Sequence, residues 1–104
     1  MPATFRVEIT PSAEADIAAI WDYIAQESPA AATTFIVALE TQIASLQQFP
    51  ERCPRIAEND ILGTNYRHLL HGPYRTIFRI SSHTVVILRV IHGARLFNDE
   101  FLST

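Results

Sequence analysis

Hydrophobic and polar positions alternate at the start of the chain and then change to a helical period. Phe5, Val7 and Ile9 are separated by charged residues, and this period of two predicts a strand over residues 4–10 with one buried face. The pattern stops at Thr10-Pro11. Threonine is a good helix N-cap and proline suits the first helical position, so we predict that a helix begins there.

Two amphipathic helices are predicted next. The first runs to about Gln26, and its apolar residues recur at spacings of three and four, which places Trp21 in the stripe that faces the core. Ser28 followed by Pro29 repeats the cap signal, and a second helix is predicted to run to about Gln48. The short turn between them indicates an antiparallel hairpin. The two stripes consist of Ala13, Ile17, Ile20, Trp21 and Ile24, and of Ala32, Phe35, Leu39, Ile43 and Leu46.

The rest of the chain is predicted to form an irregular connection and then a β-meander. Residues 49–65 contain two prolines, a glycine and two asparagines, which are typical of a connection. Three strands separated by short turns are predicted over residues 66–70, 74–80 and 84–91. The order predicts an α+β domain: an N-terminal strand, and an antiparallel two-helix hairpin packed on an antiparallel sheet that a C-terminal three-strand meander completes.

Length and composition indicate a single domain over residues 1–104. A chain of 104 residues, 48% of them hydrophobic, can bury one modest core. We find neither signal-peptide features at the N-terminus nor an apolar run long enough to cross a bilayer, and we expect a cytoplasmic protein without a membrane partner. The single Cys53 excludes an internal disulfide, and the four histidines lack a zinc spacing. Neither a metal site nor a cofactor is therefore expected.

The net charge of −3 is unevenly distributed along the chain. Residues 1–51 carry a charge of −6, whereas residues 52–95 carry +5, and all eight basic residues are arginine. Arginine suits the bidentate recognition of phosphate and carboxylate groups. The charge of the second half therefore fits two interpretations equally well: a face for an acidic partner, either a nucleic acid or a protein segment, and a solvated sheet without a partner.

Alternation within the last two strands assigns the arginines to one face of the sheet. Burying unpaired arginines beneath the helices would cost several kcal/mol for each charge, so we predict that they point away from the helices. The same outward face would carry aliphatic residues, which favours a groove covered by a partner over a merely solvated surface. The residues predicted to face the helices are Phe78, Ile80, Val86, Leu88 and Val90, and those predicted to face outward are Arg75, Ile77, Arg79, Val85, Ile87, Arg89 and Ile91.

These features together resemble the ParE/RelE superfamily of bacterial toxins from type II toxin–antitoxin modules. The resemblance covers essentially the whole chain. It rests on the order of elements and on the combination of several short motifs that ends in HGAR, and this combination is closer to the ParE branch. The motifs are TPSAEADIAAIWDYIA, Pro50 after the second helix, Tyr66-Arg67, PYRTIFRI on a middle strand and RVIHGAR at the end of the last strand.

The resemblance implies one of two targets. RelE-like members are endoribonucleases that cut messenger RNA on the ribosome, whereas ParE-like members poison DNA gyrase without catalysis of their own. In both branches a co-encoded antitoxin neutralises the toxin by folding a disordered, often acidic segment over it. Such a segment would suit a face that mixes basic and aliphatic residues. Growth arrest and plasmid maintenance are the roles that the resemblance implies.

The residues at the ribonuclease positions favour the ParE branch. By resemblance, Arg67 stands at one lysine position of the RelE-like enzymes and Leu69 at the other, while Arg75 and Arg95 match two arginines. Phe101 stands where those enzymes usually have a tyrosine. Leucine and phenylalanine cannot transfer protons, so the acid–base pair that RNA cleavage needs is missing.

Two histidines keep the ribonuclease alternative open. His68 and His92 could exchange protons near neutral pH. His68 is predicted to point to the face opposite Arg67, and His92 has the position of a turn residue at a strand end. If the chain is a ribonuclease, its catalytic residues are predicted to be His92, Arg75 and Arg95.

Three functions are therefore weighed from the sequence. The favoured one is a ParE-like inhibitor of DNA gyrase, neutralised by a cognate antitoxin and without catalysis. The alternatives are a RelE-like ribonuclease acting on ribosome-bound messenger RNA, and a non-toxic fold relative that serves as a binding protein. Charge reversal at Arg75 or Arg89 is expected to weaken antitoxin binding. The predicted partner-binding residues are Arg67, Arg75, Ile77, Arg79, Ile87, Arg89, Arg95 and Phe101.

Overall fold

A helical hairpin packs on one face of a four-stranded sheet. The structure is a computed structural model and describes residues 4–95. Strands β1 and β4 are parallel and the other neighbours are antiparallel, in the order β1-β4-β3-β2. This confirms the predicted α+β class, with the refinement that the N-terminal strand joins the sheet in parallel. The elements are β1 (Arg6–Ile9), α1 (Pro11–Ala25), α2 (Pro29–Ala44), α3 (Asn59–Leu62), β2 (Arg67–His71), β3 (Tyr74–Ser81) and β4 (Thr84–His92).

Both helices begin at the predicted cap residues. The Thr10 hydroxyl accepts a hydrogen bond from the backbone N–H of Ala13 at 3.2 Å and donates one to the carbonyl of Leu88 at 3.0 Å. The cap therefore also fixes α1 to β4. The Ser28 hydroxyl accepts from the N–H of Ala31 at 3.1 Å. No helix within residues 4–95 is long and apolar enough to cross a membrane.

The prediction that Trp21 belongs to the core is wrong. Trp21 is 38% exposed, whereas its neighbour Ile20 is buried. Consecutive helical residues point about 100° apart, so both cannot face the sheet fully. The smaller Ile20 has the central position.

The α2 helix ends earlier than predicted. Its regular part stops at Ala44, and the chain continues as two short 3₁₀ turns, Ser45–Gln47 and Pro50–Arg52. Phe49, between these turns, has the left-handed conformation with φ 51°. The proline that follows cannot donate the hydrogen bond that would continue the helix.

The main core lies between the hairpin and the sheet, and a second, smaller cluster lies on the opposite face of the sheet. The main core contains Ala13, Ile20, Leu39, Ile43, Leu46, Cys53, Phe78, Val85, Ile87 and Val90. The second cluster contains Ile56, Ile77 and Ile91, with Leu62, Tyr66 and Leu88 packed against it. The connection between Pro50 and β2 therefore covers the sheet face that was predicted to be open to a partner.

A β-bulge corrects the predicted facing of β4. Ile77 pairs with Arg89 and Phe78 pairs with Ile87, so Leu88 is an extra residue in the ladder. Val85 and Ile87 consequently face the helices, and Leu88 joins the second cluster. For the residues of β4 that precede the bulge, the predicted directions of the side chains are thus wrong. After the bulge, Val90 lies in the main core and Ile91 on the other face, as predicted.

Candidate functional site

Arg75, the second residue of β3, lies on the sheet face opposite the helices. Its guanidinium pairs with the carboxylate of Glu58 through Nη1–Oε1, at 3.2 Å, and through a close Nη2–Oε2 contact. Nη2 also donates to the carbonyl of Arg95 at 2.7 Å. Arg75 is only 6% exposed, because the segment that carries Glu58 packs over it. The arginine predicted to contact a partner is instead held by the chain itself.

The predicted exposed face is also wrong at two isoleucines. Ile77 is fully buried in the second cluster, beneath Ile56 and Ile91. Ile87 is fully buried in the main core, because the bulge reverses its direction. The aliphatic residues between the arginines are therefore explained by two cores and not by an open groove.

Arg89 turns toward α1, contrary to the prediction. Its Nε donates to Oδ2 of Asp16 at 2.6 Å and its Nη2 to Oδ1 at 2.7 Å. The N–H of Val90 donates to the same Oδ2 at 2.9 Å. The hydrogen bonds with Asp16 raise the pKa of Arg89 above its ordinary value. Its position at the bulge, beyond the end of β1, allows the side chain to reach the helix.

The remaining arginines that were predicted to bind a partner differ in solvent exposure. Arg67 is half-buried on the edge strand β2, and its Nη1 donates to the carbonyls of Cys53 at 2.6 Å and Glu51 at 3.1 Å. Arg79 and Arg95 are exposed. Phe101 lies outside the described residues.

His68 lies on the same sheet face as Arg75, opposite Ile77 in the ladder. This confirms that it points away from the side of Arg67, which pairs with Phe78. Burial lowers the pKa of His68, the charge of Arg75 lowers it further, and Glu58 partly offsets the effect. His68 is therefore neutral at pH 7. Leu69 packs against the main core on the other face.

His92 is exposed at the end of β4. Its ring stacks edge-on against Tyr74, with ring centroids 5.7 Å apart. Nδ1 accepts a hydrogen bond from the N–H of Ala94 at 3.1 Å, and the His92 carbonyl accepts one from the N–H of Arg95 at 2.9 Å. The HGAR motif is thus a tight turn that fixes the distance between His92 and Arg95.

A cavity of about 320 Å³ opens beside the Arg75–Glu58 pair. The cavity is lined by Ala57, Glu58, Ile61, Arg75, Gly93 and Arg95. Among residues 4–95, no three histidine, cysteine or acidic side chains are grouped closely enough to hold a metal ion.

The sequence prediction missed Glu58 as a residue of this site. Glu58 is one of two acids among seven arginines in the basic half of the chain. An acid in such a basic segment could have been predicted to pair with one of the arginines.

The fold and the sequence place the protein among the small α+β toxins of the ParE/RelE superfamily. Residues 7–97 match the family described as the ParE toxin of the type II toxin–antitoxin system parDE. The chain belongs to this ParE toxin family.

Similar proteins carry both ParE and RelE names. Toxin RelE2 from Caulobacter vibrioides is 38% identical over 82 residues, which cover 79% of this chain and 88% of that protein. A structure of a chromosomal ParDE toxin–antitoxin system from P. aeruginosa has a TM-score of 0.70 at 25% identity, covering 86% of this chain and 97% of its own. The RelBE2 toxin–antitoxin complex from Mycobacterium tuberculosis has a TM-score of 0.58 at 25% identity, covering 89% and 95%.

Proposed function

We propose that the protein is a ParE-like toxin that inhibits DNA gyrase without catalysis of its own and that a cognate antitoxin neutralises. Growth arrest would follow from loss of supercoiling in the cytoplasm. The observation that carries the proposal is the commitment of Arg75 to Glu58 and to the Arg95 carbonyl. A ribonuclease needs such a cation to stabilise the phosphate in the transition state.

The neighbours of Arg75 support the same conclusion. Leu69 occupies a position where proton transfer would be needed, and it packs against the main core. His68 is held neutral by burial and by Arg75, so it lacks the proton that a general acid must give to the leaving oxygen. A protein that acts by binding alone needs neither group.

An antitoxin partner is supported by the similar structures, which are those of toxin–antitoxin systems. We place its contacts at Arg79 and Arg95, which are exposed, with Arg67 at the edge strand and Phe101 in the C-terminal segment. Acidic groups of an antitoxin would complement these arginines. The proposed contacts exclude four residues that were predicted from the sequence to bind the partner, because each is buried or paired with an acid within the fold. These are Arg75, Ile77, Ile87 and Arg89.

A second candidate is the ribosome-dependent ribonuclease, favoured by His92. This histidine is exposed beside Arg95, and the bond from Ala94 to Nδ1 orients its ring. The relative named Toxin RelE2 adds to this candidate. Under it, His92 would exchange the proton and Arg95 would bind the phosphate.

A supercoiling assay with purified gyrase separates the candidates. The wild-type protein and His92→Ala are added to gyrase and relaxed plasmid, with and without the antitoxin. We expect both to abolish supercoiling and to accumulate cleaved DNA, and we expect the antitoxin to reverse this. Unaffected gyrase, together with ribosome-dependent cutting of messenger RNA that His92→Ala abolishes, would establish the ribonuclease. Inactivity in both assays, with retained antitoxin binding, would leave the non-toxic binding protein.

A further inference from the structure

The carboxylate of Glu58 belongs to the covering segment and not to the sheet. Glu58 immediately precedes α3, a helix of four residues. The Asn59 side chain holds the segment by donating to the Tyr66 carbonyl and accepting from the Tyr66 N–H, both at 2.9 Å. Leu62 packs on the second cluster, while Ile61 is 88% exposed. The position of the segment therefore has a cause that is separate from the Glu58–Arg75 pair.

Arg75 and the neighbouring His68 have hydrogen-bonding groups that the Glu58 carboxylate does not satisfy. Arg75 Nε and His68 Nδ1 are buried, and neither has a hydrogen-bond partner within residues 4–95. Buried polar nitrogen atoms are normally hydrogen-bonded, because an unbonded one has lost its bonds to water without a replacement. The cavity beside Arg75 is also lined by Glu58 and Arg95.

A fork of guanidinium nitrogens that holds a carboxylate is also suited to other oxyanions of the same geometry. Arginine binds carboxylate and phosphate through the same pair of parallel hydrogen bonds. Glu58 already makes this bidentate contact with Nη1 and Nη2 of Arg75. The site is thus shaped for an oxyanion, and the chain supplies that oxyanion itself.

We propose that Arg75, with Arg95 and His68, forms an oxyanion-binding site that Glu58 occupies as an internal ligand. The chain blocks this site against carboxylate and phosphate groups from outside. Removing the charge of Glu58, while keeping its size, opens the site to an external anion. The inference concerns binding of the anion and does not depend on the target of the toxin.

The test is a titration of the full chain with inorganic phosphate and, separately, with acetate, at constant ionic strength in sodium chloride. The variants are Glu58→Gln, the double variant Glu58→Gln with Arg75→Gln, and Glu40→Gln. Glu40 is an exposed acid of α2, so its substitution makes the same change in net charge away from the cavity. Binding is followed by the anion-dependent rise in Tm, which yields the dissociation constant.

We expect Glu58→Gln to bind phosphate, acetate or both at least tenfold more tightly than the wild type. Glu40→Gln should behave as the wild type does, and the double variant should lose the gain. Tighter phosphate than acetate identifies a phosphate site, and the reverse identifies a carboxylate site. Equal anion dependence in Glu58→Gln and the wild type, or full retention of the gain in the double variant, overturns the proposal.

Loss of folding in Glu58→Gln would also be decisive. The variant is then refolded in phosphate or acetate and, in parallel, in sodium chloride of the same ionic strength. Recovery of the fold in either anion but not in chloride supports an oxyanion site. Failure of both anions to restore the fold shows that Glu58 is a structural partner of Arg75 and overturns the proposal.

Discussion

Asp16 of α1 and Arg89 of β4 form a two-pronged ion pair that fixes the first helix to the last strand. The two donor–acceptor distances are 2.6 and 2.7 Å, and the same carboxylate accepts the backbone N–H of Val90. Both side chains are 14% exposed. The contact joins residues 73 positions apart in the chain, so it stabilises only the folded state.

Asp16→Ala is expected to lower the free energy of unfolding by about 3 kcal/mol, because it leaves the mostly buried Arg89 without its partner. Urea unfolding followed by circular dichroism measures the loss. The control is Glu8→Ala, which breaks the exposed Arg6–Glu8 pair at 3.6 Å and should change stability by less than about 0.5 kcal/mol. Similar losses in both variants would contradict a structural role for the Asp16–Arg89 pair.

Ile77→Ala is expected to destabilise the fold by about 2–5 kcal/mol, because it opens a cavity in the second cluster. Ile61→Ala makes the same chemical change at a residue that is 88% exposed, and its effect should stay within about 0.5 kcal/mol. Denaturant midpoints of the two variants compare them directly. A negligible effect at Ile77 would mean that the connection does not cover the sheet in solution.

Arg79→Glu is expected to weaken antitoxin binding at least tenfold, about 1.4 kcal/mol, without a change in unfolding midpoint. Isothermal titration with the purified antitoxin measures the dissociation constant. Arg6→Glu is the matched control, since Arg6 is also an exposed strand arginine but lies on β1. An unchanged dissociation constant for Arg79→Glu would remove this residue from the proposed contact. Reversal at Arg75 or Arg89 would instead break a pair within the fold.

Stability should fall as the pH drops below about 6.5, because His68 has a lowered pKa in the folded state. The unfolded chain then binds more protons than the folded chain, so the contribution of His68 is complete above its unfolded pKa. That contribution is lost as the pH falls toward the folded pKa. Since one proton is involved, the slope is at most about 1.4 kcal/mol per pH unit.

Unfolding free energies of the wild type and of His68→Gln at pH 5 to 8 check this pH dependence. The acid slope should be shallower in His68→Gln than in the wild type. Identical slopes in the two proteins would show that His68 does not contribute to the pH dependence of stability.

Cys53 should react slowly with thiol reagents in the native protein. It is 3% exposed, and burial raises the pKa of its thiol, an effect that Arg52 and Arg67 only partly offset. We expect the native chain to react about 100-fold more slowly than the chain in urea, since the thiolate is the reactive species. Equal rates in both conditions would show that the segment around Cys53 opens readily.

Local signals in the sequence were sufficient to predict the helices and strands and their order along the chain. Thr10-Pro11 and Ser28-Pro29 define both helix starts, because a cap hydroxyl and a fixed proline φ act within three or four residues. The turns between the last strands are equally local. The family resemblance followed from the same order and from motifs such as HGAR, and the match over residues 7–97 confirms it.

Tertiary structure decided which side chains are free. An unbroken apolar run such as residues 85–88 has no period that assigns its faces, so only the bulge and the pairing with β1 determine that Val85 and Ile87 point to the helices. Whether an arginine is exposed depends on where distant acids lie. Glu58 and Asp16 reach Arg75 and Arg89 from segments 17 and 73 residues away.

The sequence by itself thus determined the class, the helices, the strands and the basic half of the chain. The tertiary structure decided that Arg75 and Arg89 of this half pair with acids of the same chain and that the connection covers Arg75. The physical reason is the range of the interactions: capping, turn geometry and periodicity act over a few residues, whereas charge pairing and burial depend on neighbours that only the fold brings together.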